Sequence, residues 1–207
     1  MDDRELGRTL LRIARDSIGE RFGADCAGEL AHPRLEEPGA TFVTLRREDA
    51  LRGCIGSLEP VRALRADVAH NAANAAFADP RFMPLRRHEL PHIDIEVSLL
   101  SATETMLFGS EEDLLAQLVP GRDGLVLQYG RRRGTFLPQV WEVLADPRAF
   151  LAELKGKAGL PVDFWSAQIE VARYSVTKWT EGEFAGSDEN DDASLPAASP
   201  RRSINLT

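Results

Sequence analysis

The stretch 93–100, IDIEVSLL, sets Ile93, Ile95, Val97 and Leu99 in alternation with Asp94, Glu96, Ser98 and Leu100. Period-two alternation marks a strand with one face in a core and the other turned outward. A chain built round such a strand needs helices to cover the apolar face. Two extended runs, about 41–46 and 51–58, flank the polar turn RREDA and read as a hairpin. After Pro60, Leu64, Val68, Ala72 and Ala76 recur every four residues, a helix stopped by Asp79-Pro80.

The same order then returns. DGLVLQYGRRRGTFLPQVWEVL reads as a second hairpin, and Asp146 and Pro147 cap a helix, FLAELKGKAGL, that Gly159 and Pro161 end. IEVARYSVTKW, about 169–179, reads as one strand, and it shares Ile-Glu-Val with residues 95–97. The repeated order predicts a duplicated β-β-α-β unit, with halves of about 41–100 and 121–180. Together they would form one predominantly antiparallel sheet with flanking helices, an α+β fold of two subdomains. Two unrelated α+β lobes are the alternative. An N-terminal helix over 2–22 carries Leu6, Leu10, Ile13, Ala14 and Ile18 on one face, with Asp2 and Glu5 as a capping box. A turn-rich connection spans 23–40, and Ser110 with Asp113 opens a short helix, EEDLLAQL.

Charge and cysteine usage exclude several classes. Lys and Arg number 25 against 33 Asp and Glu, a formal charge of −8, which argues against a nucleic-acid partner. Part of that charge lies in 181–207, where Glu181, Glu183, Asp188, Glu189, Asp191 and Asp192 outnumber Arg201 and Arg202. With almost nothing to bury, 181–207 reads as an acidic disordered tail behind a folded unit of 1–180. No apolar run approaches the ~20 residues of a membrane span, and the charged start lacks a secretory h-region, so a cytoplasmic protein is expected. Two cysteines, Cys26 and Cys54, rule out a disulfide scaffold and a four-cysteine zinc site.

The string LRGCIGSLEP, 51–60, is the candidate site. Strand periodicity puts Leu51, Gly53, Ile55 and Ser57 on one face, nominated for the core, and Arg52, Cys54, Gly56 and Leu58 on the other. Two glycines inside a strand mark a bulge or the close approach of a backbone or ligand, and here they would leave room for a substrate over the sulfur, while Arg52 two positions from Cys54 would favour the nucleophilic thiolate. The plainer reading of Cys54 is a buried small hydrophobe. Glu96 and Ser98 share the polar face of the third strand, and they matter if that face lines the same cleft. His70, His88 and His92 lack any metal-binding spacing, and neither Gly-rich phosphate motif is present, so no metal or cofactor is expected. Arg131, Arg132 and Arg133 read as a solvated hairpin tip.

LRGCIGSLEP, followed in order by DVAHNAANAAFADPRF, ELPHIDIEVSLLS, GRDGLVLQYGRRRGTFLPQVWE and FLAELKGKAGL, resembles the AMME-syndrome candidate-region domain family. Its prokaryotic members are called AmmeMemoRadiSam system protein A. The resemblance runs over about residues 5–180. It implies a mixed α+β domain of two subdomains with a cleft between them. It also implies a genomic association with a Memo-like protein, related to extradiol dioxygenases, and with a radical-SAM protein. The family carries no established reaction, so two readings stand: an accessory or regulatory module binding a small-molecule ligand or partner, and a cysteine-dependent enzyme acting through Cys54. Cys54 and Glu96 are the catalytic candidates; Arg52, Gly53, Gly56, Glu59, Ser98 and Gln139 are the ligand-binding candidates.

Overall fold

The computed structural model describes residues 3–24, 28 and 30–184. The Asp2 cap, Cys26 and the tail from 185 onward lie outside the described residues. In chain order the elements are α1 (Asp3–Glu20), β1 (Pro38–Gly39), β2 (Thr41–Arg47), β3 (Ala50–Gly56), β4 (Arg62–Ala63), α2 (Leu64–Phe77) and β5 (Asp94–Leu100). The second half holds β6 (Glu104–Thr105), α3 (Glu111–Gln117), β7 (Gly124–Tyr129), β8 (Arg132–Phe136), α4 (Pro147–Lys157), β9 (Glu170–Tyr174) and β10 (Val176–Thr180). The fold is α+β and every strand pairing is antiparallel.

The expected single sheet is instead two four-stranded sheets, in the orders β10-β5-β2-β3 and β6-β9-β7-β8, with a small β1–β4 ribbon beside them. Each holds a hairpin, β2–β3 or β7–β8, with the single strand of its own half, β5 or β9, on the hairpin's first strand. The fourth strand comes from the other half. β6 follows β5 but pairs with β9, and β10 follows β9 but pairs with β5. The run 169–179, read from the sequence as one strand, is therefore two strands in different sheets. They part at Ser175, whose carbonyl accepts from the Ser101 N–H at 2.9 Å and whose N–H donates to Ser101 Oγ at 3.0 Å.

Each sheet buries one face. Leu6, Leu10, Ala14 and Ile18 of α1 join Val68 and Ala72 of α2 over Val43, Leu45, Ile95 and Val97. In the second half Leu114, Leu151 and Leu154 cover Leu125, Leu127 and Val171, and Trp141 stacks on Phe150 with centroids 3.8 Å apart. Asp67, fully buried on α2, ties the first helix layer to its sheet. Its carboxylate accepts from the Thr41 N–H (2.9 Å), Thr41 Oγ1 (2.8 Å), Ser57 Oγ (2.7 Å), Asn71 Nδ2 (3.0 Å) and Arg62 (3.0 Å). A buried carboxylate is tolerated only with this many donors.

The expected tail boundary at 181 moves outward. Glu181 accepts from the Arg15 guanidinium and, at 3.0 Å, from the Ile95 N–H, while Phe184 is buried in the first core. Residues 181–184 thus belong to the fold, because an ion pair and an aromatic ring anchor them.

Candidate cleft between the two sheets

The local geometry of β3 decides what surrounds Cys54. In the β2–β3 register Val43 faces Ile55, Thr44 faces Cys54 and Leu45 faces Gly53, but Arg46 then faces Leu51. Arg52 is the extra residue of a β-bulge, which resets the side-chain alternation. Leu51, nominated for the core, is consequently 39% exposed. Arg52 does not act as the thiol's cation as expected. Its guanidinium is held by Glu89, with Nε–Oε1 at 2.9 Å and Nη2–Oε2 at 3.1 Å. Those hydrogen bonds, with the Arg86 N–H and against the effect of burial, lower the Glu89 carboxyl to about 2.

The glycines are points of close approach, as expected, but not room for a substrate. A Cβ on Gly53 would lie 2.1 Å from the Ala75 carbonyl oxygen of α2, and one on Gly56 would lie 2.2 Å from the Phe42 ring. They admit a helix backbone and an aromatic ring, not a substrate. Glu59 is exposed and ion-pairs with Arg133 of the β7–β8 hairpin, linking the two halves. Arg132 donates to the Gly159 carbonyl, so two of the three arginines expected at a solvated tip are engaged at their side chains.

Cys54 itself is half-buried. Its sulfur accepts from Thr44 Oγ1 at 3.4 Å. Because β3 is an edge strand, the Cys54 peptide groups facing away from β2 need other partners. The N–H donates to Asp79 Oδ2 at 2.9 Å, and the carbonyl accepts from Arg81 Nη2 at 3.1 Å. Asp79, 4% exposed, also accepts from the Arg81 N–H and Nε at 3.0 Å each and from Nη2 at 2.7 Å. Arg81 holds this carboxyl well below the usual range, outweighing burial, with the Cys54 N–H adding to the effect. Asp79-Pro80 is readable in the sequence as a helix stop. That its carboxylate covers the edge of β3 is a long-range contact with no local signature.

The face of the first sheet opposite α1 and α2 turns toward the second half of the chain. Phe42, Thr44, Cys54 and Ser98 on that face meet Leu137, Gln139 and Val176 around a pocket of about 130 Å³. Gln139 and Val176 also border a neighbouring cavity of about 550 Å³, along with Arg122, Trp141, Glu142 and Lys178. The structure thus brings Cys54, Ser98 and Gln139 together, while Arg52, Gly53, Gly56 and Glu59 do not line this pocket. Glu96 sits in one cross-strand row with Thr44 and Cys54, accepts from Ser98 Oγ at 3.4 Å and lies 3.9 Å from Lys178 Nζ. Phe42 and Thr44 went unnoticed in the sequence, although their alternation with Val43 and Leu45 assigns them to this face. Among the described residues none hydrogen-bonds to the Gln139 carboxamide, and no group of three or more His, Cys, Asp and Glu is placed to hold a metal ion.

Comparison with known proteins identifies relatives of the chain as a whole. The AMMECR1 family model matches residues 11–179. A protein of Saccharolobus solfataricus, SSO0193, is 39% identical over 193 residues, covering 89% of this chain and 85% of that one. A protein of Methanothermobacter thermautotrophicus is 39% identical over 178 residues, covering 84% and 93%. The crystal structure of the uncharacterized protein PH0010 from Pyrococcus horikoshii superposes with a TM-score of 0.72 at 34% identity, covering 87% of this chain and 93% of that one.

Proposed function

The chain belongs to the AMMECR1 family, and on that premise we propose that it is a non-catalytic binding protein whose inter-sheet cleft receives a small ligand or a side-chain-sized group of a partner. It acts in the cytoplasm as an accessory to a Memo-like protein and a radical-SAM protein. The carrying observation is Gln139. Its half-buried carboxamide, a donor and an acceptor at the junction of two cavities, is not engaged by any described residue and is available to an occupant that enters from solvent. The inner pocket mixes apolar walls (Phe42, Leu137, Val176) with the Thr44 and Ser98 hydroxyls, the composition of sites that select by shape and a few hydrogen bonds. Its volume equals that of about four liquid waters, enough for one small terminal group.

The second reading, a cysteine-dependent enzyme with Glu96 as acid or base, is favoured by the Cys54–Thr44–Glu96 row. It is weakened by the partners of the sulfur. Among the described residues no imidazole or carboxylate hydrogen-bonds to it, and a nucleophile needs such a base within reach.

Co-purification with the Memo-like and radical-SAM proteins, followed by mass spectrometry of retained small molecules, tests the proposal. The wild type retains an occupant; Val176→Trp, which fills the junction, loses it; Gln139→Ala weakens it; Cys54→Ser keeps it. A chain that retains nothing with either partner, or a Val176→Trp variant that retains as much as wild type, overturns the reading.

A further inference from the structure

The inner end of the inter-sheet cleft is rich in hydrogen-bond acceptors. Thr44 Oγ1 gives its proton to the Cys54 sulfur at 3.4 Å, and Ser98 Oγ gives its proton to Glu96 Oε1 at 3.4 Å. A hydroxyl has one proton and two lone pairs, so both oxygens keep acceptor capacity only. Gln139, engaged by no described residue, can turn its carboxamide oxygen inward, and the Cys54 thiol is at most a weak donor. Thr44 and Ser98 are diagonal neighbours on β2 and β5, since Ser98 faces Phe42 and Glu96 faces Thr44. The inner pocket thus offers three acceptor oxygens between the apolar walls of Phe42, Leu137 and Val176.

The charges round the cleft point the same way. Two basic side chains line the outer cavity, and each already has a carboxylate. Arg122 Nε lies 2.9 Å from Asp123 Oδ1, and Lys178 Nζ lies 3.9 Å from Glu96 Oε1. Glu142 lines the same cavity, is exposed, and its side chain has no partner among the described residues. Two cations against three carboxylates leave the cleft one net negative charge. Resting on the binding reading above, we propose that the occupant is a primary alkylammonium. Its three N–H groups donate to Thr44 Oγ1, Ser98 Oγ and Gln139 Oε1, and its hydrocarbon stem runs past Leu137 and Val176 toward the outer cavity and Glu142. The Ser98–Glu96 hydrogen bond makes the Ser98 oxygen a better acceptor, because linked hydrogen bonds polarise one another. A carboxylate or phosphate, an acceptor only, would meet lone pairs at the inner end and is disfavoured there.

The test is an amide NMR titration of the full-length chain with propylammonium, 1-propanol and propionate at matched ionic strength. Propylammonium, of about four heavy atoms, matches the inner pocket in size, and ligands this small bind at about 1–100 mM. It is expected to shift the Phe42, Thr44, Cys54 and Ser98 amides saturably, at least about 10-fold more tightly than 1-propanol. Propionate gives no saturable shift there. Thr44→Val with Ser98→Ala removes two acceptors, so propylammonium and 1-propanol then bind alike; the retained 1-propanol response reports an intact pocket. Glu142→Gln, at the surface, weakens propylammonium about 2-fold at low salt and leaves 1-propanol unchanged. If 1-propanol or propionate binds at those amides as tightly as propylammonium, the alkylammonium assignment is overturned while the cleft remains a binding site. If propylammonium binds the Thr44→Val, Ser98→Ala chain as tightly as the wild type, the assignment is likewise overturned. No saturable shift at those amides from any of the three overturns both the assignment and the binding reading.

Discussion

At the residue scale, the positions the sequence marks as unusual are unusual for packing reasons. Gly53 and Gly56 were legible as points of close approach; the approaching group was not, because α2 and Phe42 reach them only through the fold. The two differ in what they meet. Gly53→Ala pushes a methyl into the backbone of α2 and is expected to cost about 3 kcal/mol or more, whereas Gly56→Ala meets Phe42 Cγ and Cδ1, which only a change of the Phe42 rotamer relieves, and costs nearer about 2 kcal/mol. Chemical denaturation of the two variants checks the order. Glu89 supplies a pH signature. Its carboxyl titrates at about 2 in the folded chain against the usual 4.5, so its contribution is complete above about 4.5 and is lost as pH falls through about 2. At neutral pH that contribution is up to about 3 kcal/mol. Glu89→Gln should flatten the acid limb of the stability–pH curve over that window and leave its shape above pH 5 unchanged.

At the element scale, strong periodicity sufficed for most helices and strands. Leu64, Val68, Ala72 and Ala76 do bury on α2, and Ile95 and Val97 do face the core. What periodicity could not show is where a strand changes sheet. Residues 169–179 keep a strand-like composition throughout, and only the crossing at Ser101 and Ser175 divides them. The in-strand glycines hint at a bulge, but its position at Arg52 is fixed only when the partner strand is in register. The same edge explains why Asp79 and Arg81 escaped notice as neighbours of Cys54. Asp79→Ala leaves the Arg81 guanidinium and the Cys54 N–H without their acceptor. It should destabilise the chain by at least about 2 kcal/mol and speed exchange of the Cys54 amide far more than that of the Val97 amide.

At the scale of the whole molecule, each sheet is completed by a strand from the opposite half, so the halves are not separable folding units. Calorimetry should show one cooperative transition, and residues 1–102 alone should remain unfolded for want of β10; two resolved transitions would contradict this. The exchange also holds the two halves together around the pocket. Cys54 and Ser98 come from one half, while Leu137, Gln139 and Val176 come from the other. The site was half legible: Cys54, Ser98 and Gln139 were named from sequence strings, but their convergence depends on the strand exchange. The proposed binding role makes the Cys54 thiol a wall of this pocket rather than a nucleophile. The most direct measurement is the rate of Cys54 alkylation by iodoacetamide near neutral pH, followed by peptide mass spectrometry with free glutathione as reference. The half-buried sulfur, with a hydroxyl and, among the described residues, no base upon it, is predicted to react more slowly than glutathione, and more slowly still when an occupant is retained. Alkylation faster than glutathione would contradict the binding role and establish Cys54 as an activated thiol.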